Sequence, residues 1–162
     1  MADTYSQIYI QVVFAVKHRN ALIQPLWEDE LYKYISGIVR NKEQKLISIS
    51  GMPDHIHFLL GMRPSCCLSD LVREIKKSSN EFVNEKKFNR AKFEWQGGFG
   101  AFSYGHSQLD KVIAYIVGQK EHHTKQTFKQ EYIGLLKKFN IEHQEQYLFD
   151  WIDWCDASGI GW

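Results

Sequence analysis

The hydrophobic and polar positions change period several times along the chain, and each change marks an element. Residues 5–16 alternate, with Ile8, Ile10, Val12, Phe14 and Val16 on one side and Tyr5, Gln7, Tyr9 and Gln11 on the other. That pattern predicts a strand with one buried face. Beyond a polar turn at 17–20, Leu31, Ile35, Ile38 and Val39 recur at helical spacing behind Pro25, predicting a first helix over 26–43. Two short apolar runs, 46–50 and 55–61, flank the turn residues 51–54 and read as a hairpin. A second helix, capped by Ser65 or Ser69, carries the stripe Leu68, Leu71, Val72, Ile75, Phe82 and Val83. Residues 93–104 combine strand aromatics with the glycines of a bend or bulge. A third helix is predicted from Ser107, with Leu109, Val112, Ile113 and Ile116 as its stripe, and a fourth over 124–138.

The order strand, helix, strand, strand, helix, strand predicts an α+β domain. Its plan is the ferredoxin-like split βαβ, an antiparallel sheet with two helices on one face, followed by C-terminal helices that carry Tyr115. The 162 residues show no internal repeat, low-complexity tract or Gly/Ser linker, so one domain is expected. The one compositional boundary lies near Phe139. Residues 1–138 form the expected body, and 139–162 an acidic, Trp-rich extension that packs on the domain or on a dimer partner.

Charge sharpens that boundary. The whole chain is nearly neutral at +1, with 20 basic and 19 acidic residues. Glu142, Glu145, Asp150, Asp153 and Asp156 give the extension −5 with no Lys or Arg, which leaves the body at +6. Such a body suits either an ordinary solvated surface or a polyanion-binding face. The densest basic segment is 68–92, with Arg73, Lys76 and Lys77 on the second helix and Lys86, Lys87, Arg90 and Lys92 after it. Phosphate binding and simple solvation are both open for these side chains. Phe99, Phe102 and Tyr104 could stack on unpaired bases or fill the core. Cys66, Cys67 and Cys155 lack disulfide or zinc spacing and read as structural. With neither a signal peptide nor a run of membrane-spanning length, a soluble cytoplasmic protein is expected.

Two groups of residues carry candidate chemistry. In Pro53-Asp54-His55-Ile56-His57-Phe58-Leu59-Leu60, strand alternation sets His55 and His57 on one side and Ile56, Phe58 and Leu60 on the other. Two imidazoles side by side can hold a divalent ion with open positions for a substrate oxygen, or can be ordinary hydrogen-bonded histidines. In Tyr115-Ile-Val-Gly-Gln119-Lys-Glu-His122-His123, Tyr115, Gln119 and His122 share a helix sector beside the apolar stripe. Tyr115 is then either an amphipathic packing residue or a reactive group. Should the two groups meet, an ion on His55, His57 and the Gln119 amide oxygen would polarise a phosphoryl oxygen while the Tyr115 hydroxyl attacked phosphorus.

The sequence resembles the HUH single-tyrosine transposases, the small enzymes of bacterial insertion sequences that move through single-stranded DNA. The resemblance rests on Tyr9-Ile-Gln-Val-Val-Phe14, Met52-Pro-Asp-His-Ile-His57, Trp95-Gln-Gly-Gly-Phe-Gly-Ala-Phe-Ser103 and Tyr115-Ile-Val-Gly-Gln119 followed by His122-His123. It implies a metal site at His55 and His57 with Gln119 as third ligand, Mg²⁺ or Mn²⁺ as cofactor, and Tyr115 as nucleophile. It further implies homodimers in which one subunit's tyrosine helix completes its partner's site. The implied reaction cleaves and rejoins single-stranded DNA at hairpin-marked ends through a 5′-phosphotyrosine. The alternative is a domesticated hairpin-binding protein of the same fold that does not cut.

Overall fold

The computed structural model describes residues 2–122 and 125–152. Strands β1 (Tyr9–Ala15), β2 (Lys45–Met52), β3 (His55–Gly61) and β4 (Gly100–Tyr104) form one antiparallel sheet in the order β2-β3-β1-β4. Helices α1 (Pro25–Asn41) and α2 (Leu68–Lys86) follow β1 and β3. This is the expected ferredoxin-like order. Three α-helices, α3 (Leu109–Val117), α4 (Gln119–His122) and α5 (Phe128–Lys138), follow β4 among the described residues.

Directly paired residues of neighbouring strands share a face, so the register assigns every side chain to one of two layers. Val12 pairs with Phe58 and Phe14 with Ile56. Their face is buried against α1 and α2, through Trp27, Leu31, Ile35 and Val39 on the first helix and Val72, Ile75 and Val83 on the second. Each such aliphatic or aromatic side chain contributes roughly 1.5–3 kcal/mol of transfer free energy. On the other face lie Gln11, Val13, His55, His57, Leu59 and Phe102, linked by the pairs Gln11 with Leu59 and Phe102, Val13 with His57, and Ala15 with His55.

That second face corrects the expectation for the first strand. Pairing begins at Tyr9 rather than residue 5, and from Gln11 onward every residue of β1 is buried on both sides. The strand is central, and the C-terminal helices cover the face that alternation assigned to solvent. Leu59, Val112 and Ile116 form a small core beneath α3, flanked by Leu109, Ile113 and Tyr115.

Two other boundaries move. Cys67, not Ser65 or Ser69, precedes α2, and no side chain caps it. The predicted strand over 93–104 pairs regularly only from Gly100. Before that the chain touches β1's end through a single Val16–Trp95 bridge and turns at Gly98, whose φ of +82° is left-handed. Phe102 is buried at 2% exposure, so it belongs to the core and is not a stacking platform.

Residues 139–152 return over the helical layer. Phe139 packs on Phe102 and Tyr104, while Phe149 and Trp151 pack on Phe128 and Tyr132. Gln96 fixes this return by bonding both the Asp150 carbonyl and the Asp150 amide. The helix predicted over 124–138 begins only at Phe128, behind its Thr127 cap; Cys155, Trp154, Trp162, Asp153, Asp156 and His123 lie outside the described residues.

Candidate active site

β3 lifts His55 and His57 onto the second face, where both rings are fully buried with centroids 5.1 Å apart. Each ring is held from behind through Nδ1. Asp54, in the two-residue turn of the hairpin, meets His55 Nδ1 at 2.7 Å, and Gln11 from β1 meets His57 Nδ1 at 2.9 Å. Both Nε2 atoms therefore point forward, into the space beneath the C-terminal helices.

Among the described residues, the Glu131 carboxylate enters that space. Glu131 Oε1 lies 2.8 Å from His57 Nε2 and 3.2 Å from His55 Nε2. Its Oε2 accepts hydrogen bonds from the Tyr115 hydroxyl at 2.5 Å and from Gln119 Nε2 at 3.1 Å. Gln119 Oε1 is 3.2 Å from His55 Nε2. The two predicted groups thus meet within a single chain.

Local sequence explains how the helices deliver these groups. Gly118 closes α3, and Gln119 begins α4, so Tyr115 and Gln119 sit on two short pieces rather than one continuous helix. Thr127 and Gln130 form a reciprocal cap at the start of α5. From that fixed start the apolar side chains Phe128, Tyr132, Leu135 and Leu136 turn inward and carry Glu131 with them. Phe128 also stacks flat on His55, with centroids 3.9 Å apart.

The electrostatics follow from burial among these partners. Burial opposes a charge on His55, but the Asp54 and Glu131 carboxylates outweigh it and hold the ring's pKa at about 9. Burial, and then the negative charge of Glu131, push the Tyr115 phenol well above its ordinary range. Without a compensating cation it stays protonated at neutral pH.

His55, His57 and Glu131 offer one ligand atom each, all within 4.8 Å of one another. Two imidazole nitrogens and a carboxylate oxygen fit a divalent ion, and suit Mn²⁺ better than Mg²⁺, which favours oxygen alone. Glu131 is absent from the sequence reading. Its signal was available, since an acid spaced with Phe128, Tyr132 and Leu135 sits on an apolar stripe, where a charge is costly unless it is paired.

The basic candidates separate. Lys76 Nζ donates to the carbonyls of Gln96 and Gly98 at 2.8 and 2.6 Å and lies over the Phe14 ring, and burial lowers its pKa to about 8. It anchors the 96–98 turn instead of standing free on the surface. Arg73 is exposed and pairs with Asp70 at 3.0 Å, and Lys77 is exposed. Lys92, which pairs with Glu94 at 2.8 Å, is the chief reason that Glu94 titrates at about 2, with help from His18 and Lys17.

The ferredoxin-like sheet and the meeting of an HxH strand with a tyrosine-bearing helix are the arrangement that the motif resemblance implied, and comparison with known proteins gives the family. The family model described as "Transposase IS200 like" matches residues 4–119. The chain belongs to this family, as the motif resemblance implied. The ISDra2 transposase TnpA of Deinococcus radiodurans is 27% identical over 73 residues, which are 45% of this chain. The chain spans about half, 52%, of that relative's length. A solved protein of Deinococcus radiodurans R1 described as a transposase superposes with a TM-score of 0.58 at 19% identity, covering 74% of this chain and 95% of that one. The REP-associated tyrosine transposase bound to a REP hairpin gives 0.58 at 16% identity, covering 76% and 73%. These two show the fold, a four-stranded antiparallel sheet with helices. Among the described residues, no helix is long and apolar enough to cross a membrane.

Proposed function

We propose that the chain cleaves and rejoins single-stranded DNA at hairpin-marked ends, with Tyr115 as nucleophile and a divalent ion held by His55, His57 and Glu131. One observation carries the reading: the Tyr115 hydroxyl reaches the same carboxylate that faces both histidine Nε2 atoms. Gln119, bonded to both His55 and Glu131, is within reach as a further or alternative ligand. The solved relative bound to a REP hairpin supports hairpin DNA as the substrate class.

The Tyr115 oxygen forms a bond to phosphorus as the bond to the 3′-oxygen breaks, leaving a 5′-phosphotyrosine and a free 3′-hydroxyl; the reverse step rejoins strands. Glu131 Oε2 already accepts the hydrogen of the attacking phenol and is positioned to take its proton. Asp54 and Gln11 hold the rings in place from behind. A bound Mg²⁺ or Mn²⁺ would supply positive charge to polarise a phosphoryl oxygen and to stabilise the phenolate.

The proposed assembly is a homodimer with two such sites; within one chain, Tyr115, Gln119 and Glu131 reach that chain's own histidines. Arg73 and Lys77 are its proposed phosphate contacts. Residues 139–162 are proposed as an acidic extension that does not contact DNA, since their five carboxylates would repel phosphates; its described part, 139–152, packs on the body.

The test is a hairpin-bearing single-stranded oligonucleotide incubated with Mn²⁺ or Mg²⁺ and resolved on a denaturing gel. A covalent protein–DNA adduct should form with the native chain and be absent with Tyr115→Phe, which retains shape and ligands. An adduct persisting in that variant, or cleavage to a free 5′-phosphate with no adduct, overturns the reading.

A further inference from the structure

We propose that Gln11 is a positioning residue that sets which nitrogen of His57 carries the proton, through a side-chain amide that can turn over between His57 and Tyr104. The proposal rests on the reading of His55, His57 and Glu131 as a metal site.

Gln11 lies on the central strand and is fully buried, a placement that is costly for an amide unless it is bonded at both ends. Both ends are bonded. Its Nε2 faces His57 Nδ1 at 2.9 Å, and its Oε1 accepts from the Tyr104 hydroxyl at 2.7 Å. In this arrangement Nδ1 is the acceptor, so the ring proton sits on Nε2 and is donated to Glu131 at 2.8 Å. A nitrogen that carries a proton cannot be a metal ligand.

A half-turn of the amide produces the opposite state without moving either partner. Oε1 then accepts from His57 Nδ1–H, and Nε2 donates to Tyr104, whose hydroxyl oxygen accepts as readily as its hydrogen donates. His57 Nε2 is freed to face a cation beside Glu131. His55 has no such choice, because its Nδ1 partner is the Asp54 carboxylate, which only accepts. Among the described residues, His57 is the ring backed at Nδ1 by a group that can serve either tautomer. Gln11 therefore keeps the metal-free site bonded and still admits an ion without leaving a buried polar atom unpaired.

Three variants and two readouts test this: Gln11→Leu, Gln11→Glu and Tyr104→Phe, with ¹⁵N NMR of the His57 ring in the metal-free protein and Mn²⁺ affinity by calorimetric titration. The metal-free native protein should show the Nε2–H tautomer. Gln11→Glu, whose carboxylate only accepts, should show Nδ1–H and bind Mn²⁺ at least as tightly as the native chain. Gln11→Leu should weaken Mn²⁺ binding by roughly 10–100-fold. Tyr104→Phe frees the far end of the amide and should shift the ring population toward Nδ1–H. The proposal fails if Gln11→Glu retains the Nε2–H tautomer, or if a folded Gln11→Leu binds Mn²⁺ as the native chain does. If Gln11→Leu does not fold, the near-isosteric Gln11→Glu and Tyr104→Phe still decide through the NMR signal. If the native chain binds no Mn²⁺, the metal-site reading fails, while the tautomer in Gln11→Glu still tests Gln11.

Discussion

The Tyr115 hydroxyl donates to Glu131 Oε2 at 2.5 Å, while Oε1 of the same carboxylate touches both histidines. One side chain from α5 thus joins the tyrosine of α3 to the HxH strand. It is a buried acid whose removal acts on the nucleophile and on the ligand set together.

Glu131→Gln keeps the shape but removes the charge that, after burial, does most to hold the Tyr115 phenol protonated. Its tyrosinate should form at lower pH than in the native protein, though still above the free phenol because burial remains. Ultraviolet difference titration against Tyr115→Phe isolates this one group. An unshifted curve would remove Glu131 from the account. The same variant should also bind Mn²⁺ more weakly.

The metal-free protein should lose stability as pH rises. His55 titrates at about 9 in the fold against about 6.5 in an unfolded chain. A raised value means that its contribution is complete below the unfolded pKa and is lost as pH climbs through the folded one. The shift is worth at most about 3 kcal/mol. Thermal melts in chelator should decline between these two pH values, and Asp54→Asn, which removes the partner carboxylate, should flatten the decline. A slope equal to the native one in that variant contradicts the assignment.

Lys76 should behave differently from its neighbours. Lys76→Met breaks two bonds to the 96–98 carbonyls and should lower stability by about 1–3 kcal/mol. Arg73→Ala and Lys77→Ala should leave melting unchanged and each reduce the salt slope of DNA affinity by about 1. Binding measured over a series of salt concentrations separates the roles; equal slopes for native and Lys77→Ala protein would take Lys77 off the DNA.

Phe149→Ala should cost about 3–5 kcal/mol, the usual loss for a buried Phe. Phe149 packs on Phe128, which stacks on His55, so Mn²⁺ binding should weaken with it. Denaturant melts with parallel Mn²⁺ titrations check both. Intact metal binding in the destabilised variant would show that the extension packs without supporting the site.

Much of this was legible in the residue order because it depends on local geometry. Alternation alone puts His55 and His57 on the same side of a strand, the turn residues 51–54 close the hairpin, and the stripe of α2 fixes which side meets the sheet. The motif spacing carried the family and, with it, Tyr115 and Gln119. What pattern could not supply is which side chains arrive from afar. Gln11 reads as a solvent-facing strand residue until a second helical layer covers that face. Glu131 stands 74 residues from His57, on a helix whose docking is driven by Phe128, Tyr132, Leu135 and Leu136 and by the returning Phe149. Such groups come together only when hydrophobic burial closes long loops, and that free energy is a property of the folded chain as a whole, with no local spacing to announce it.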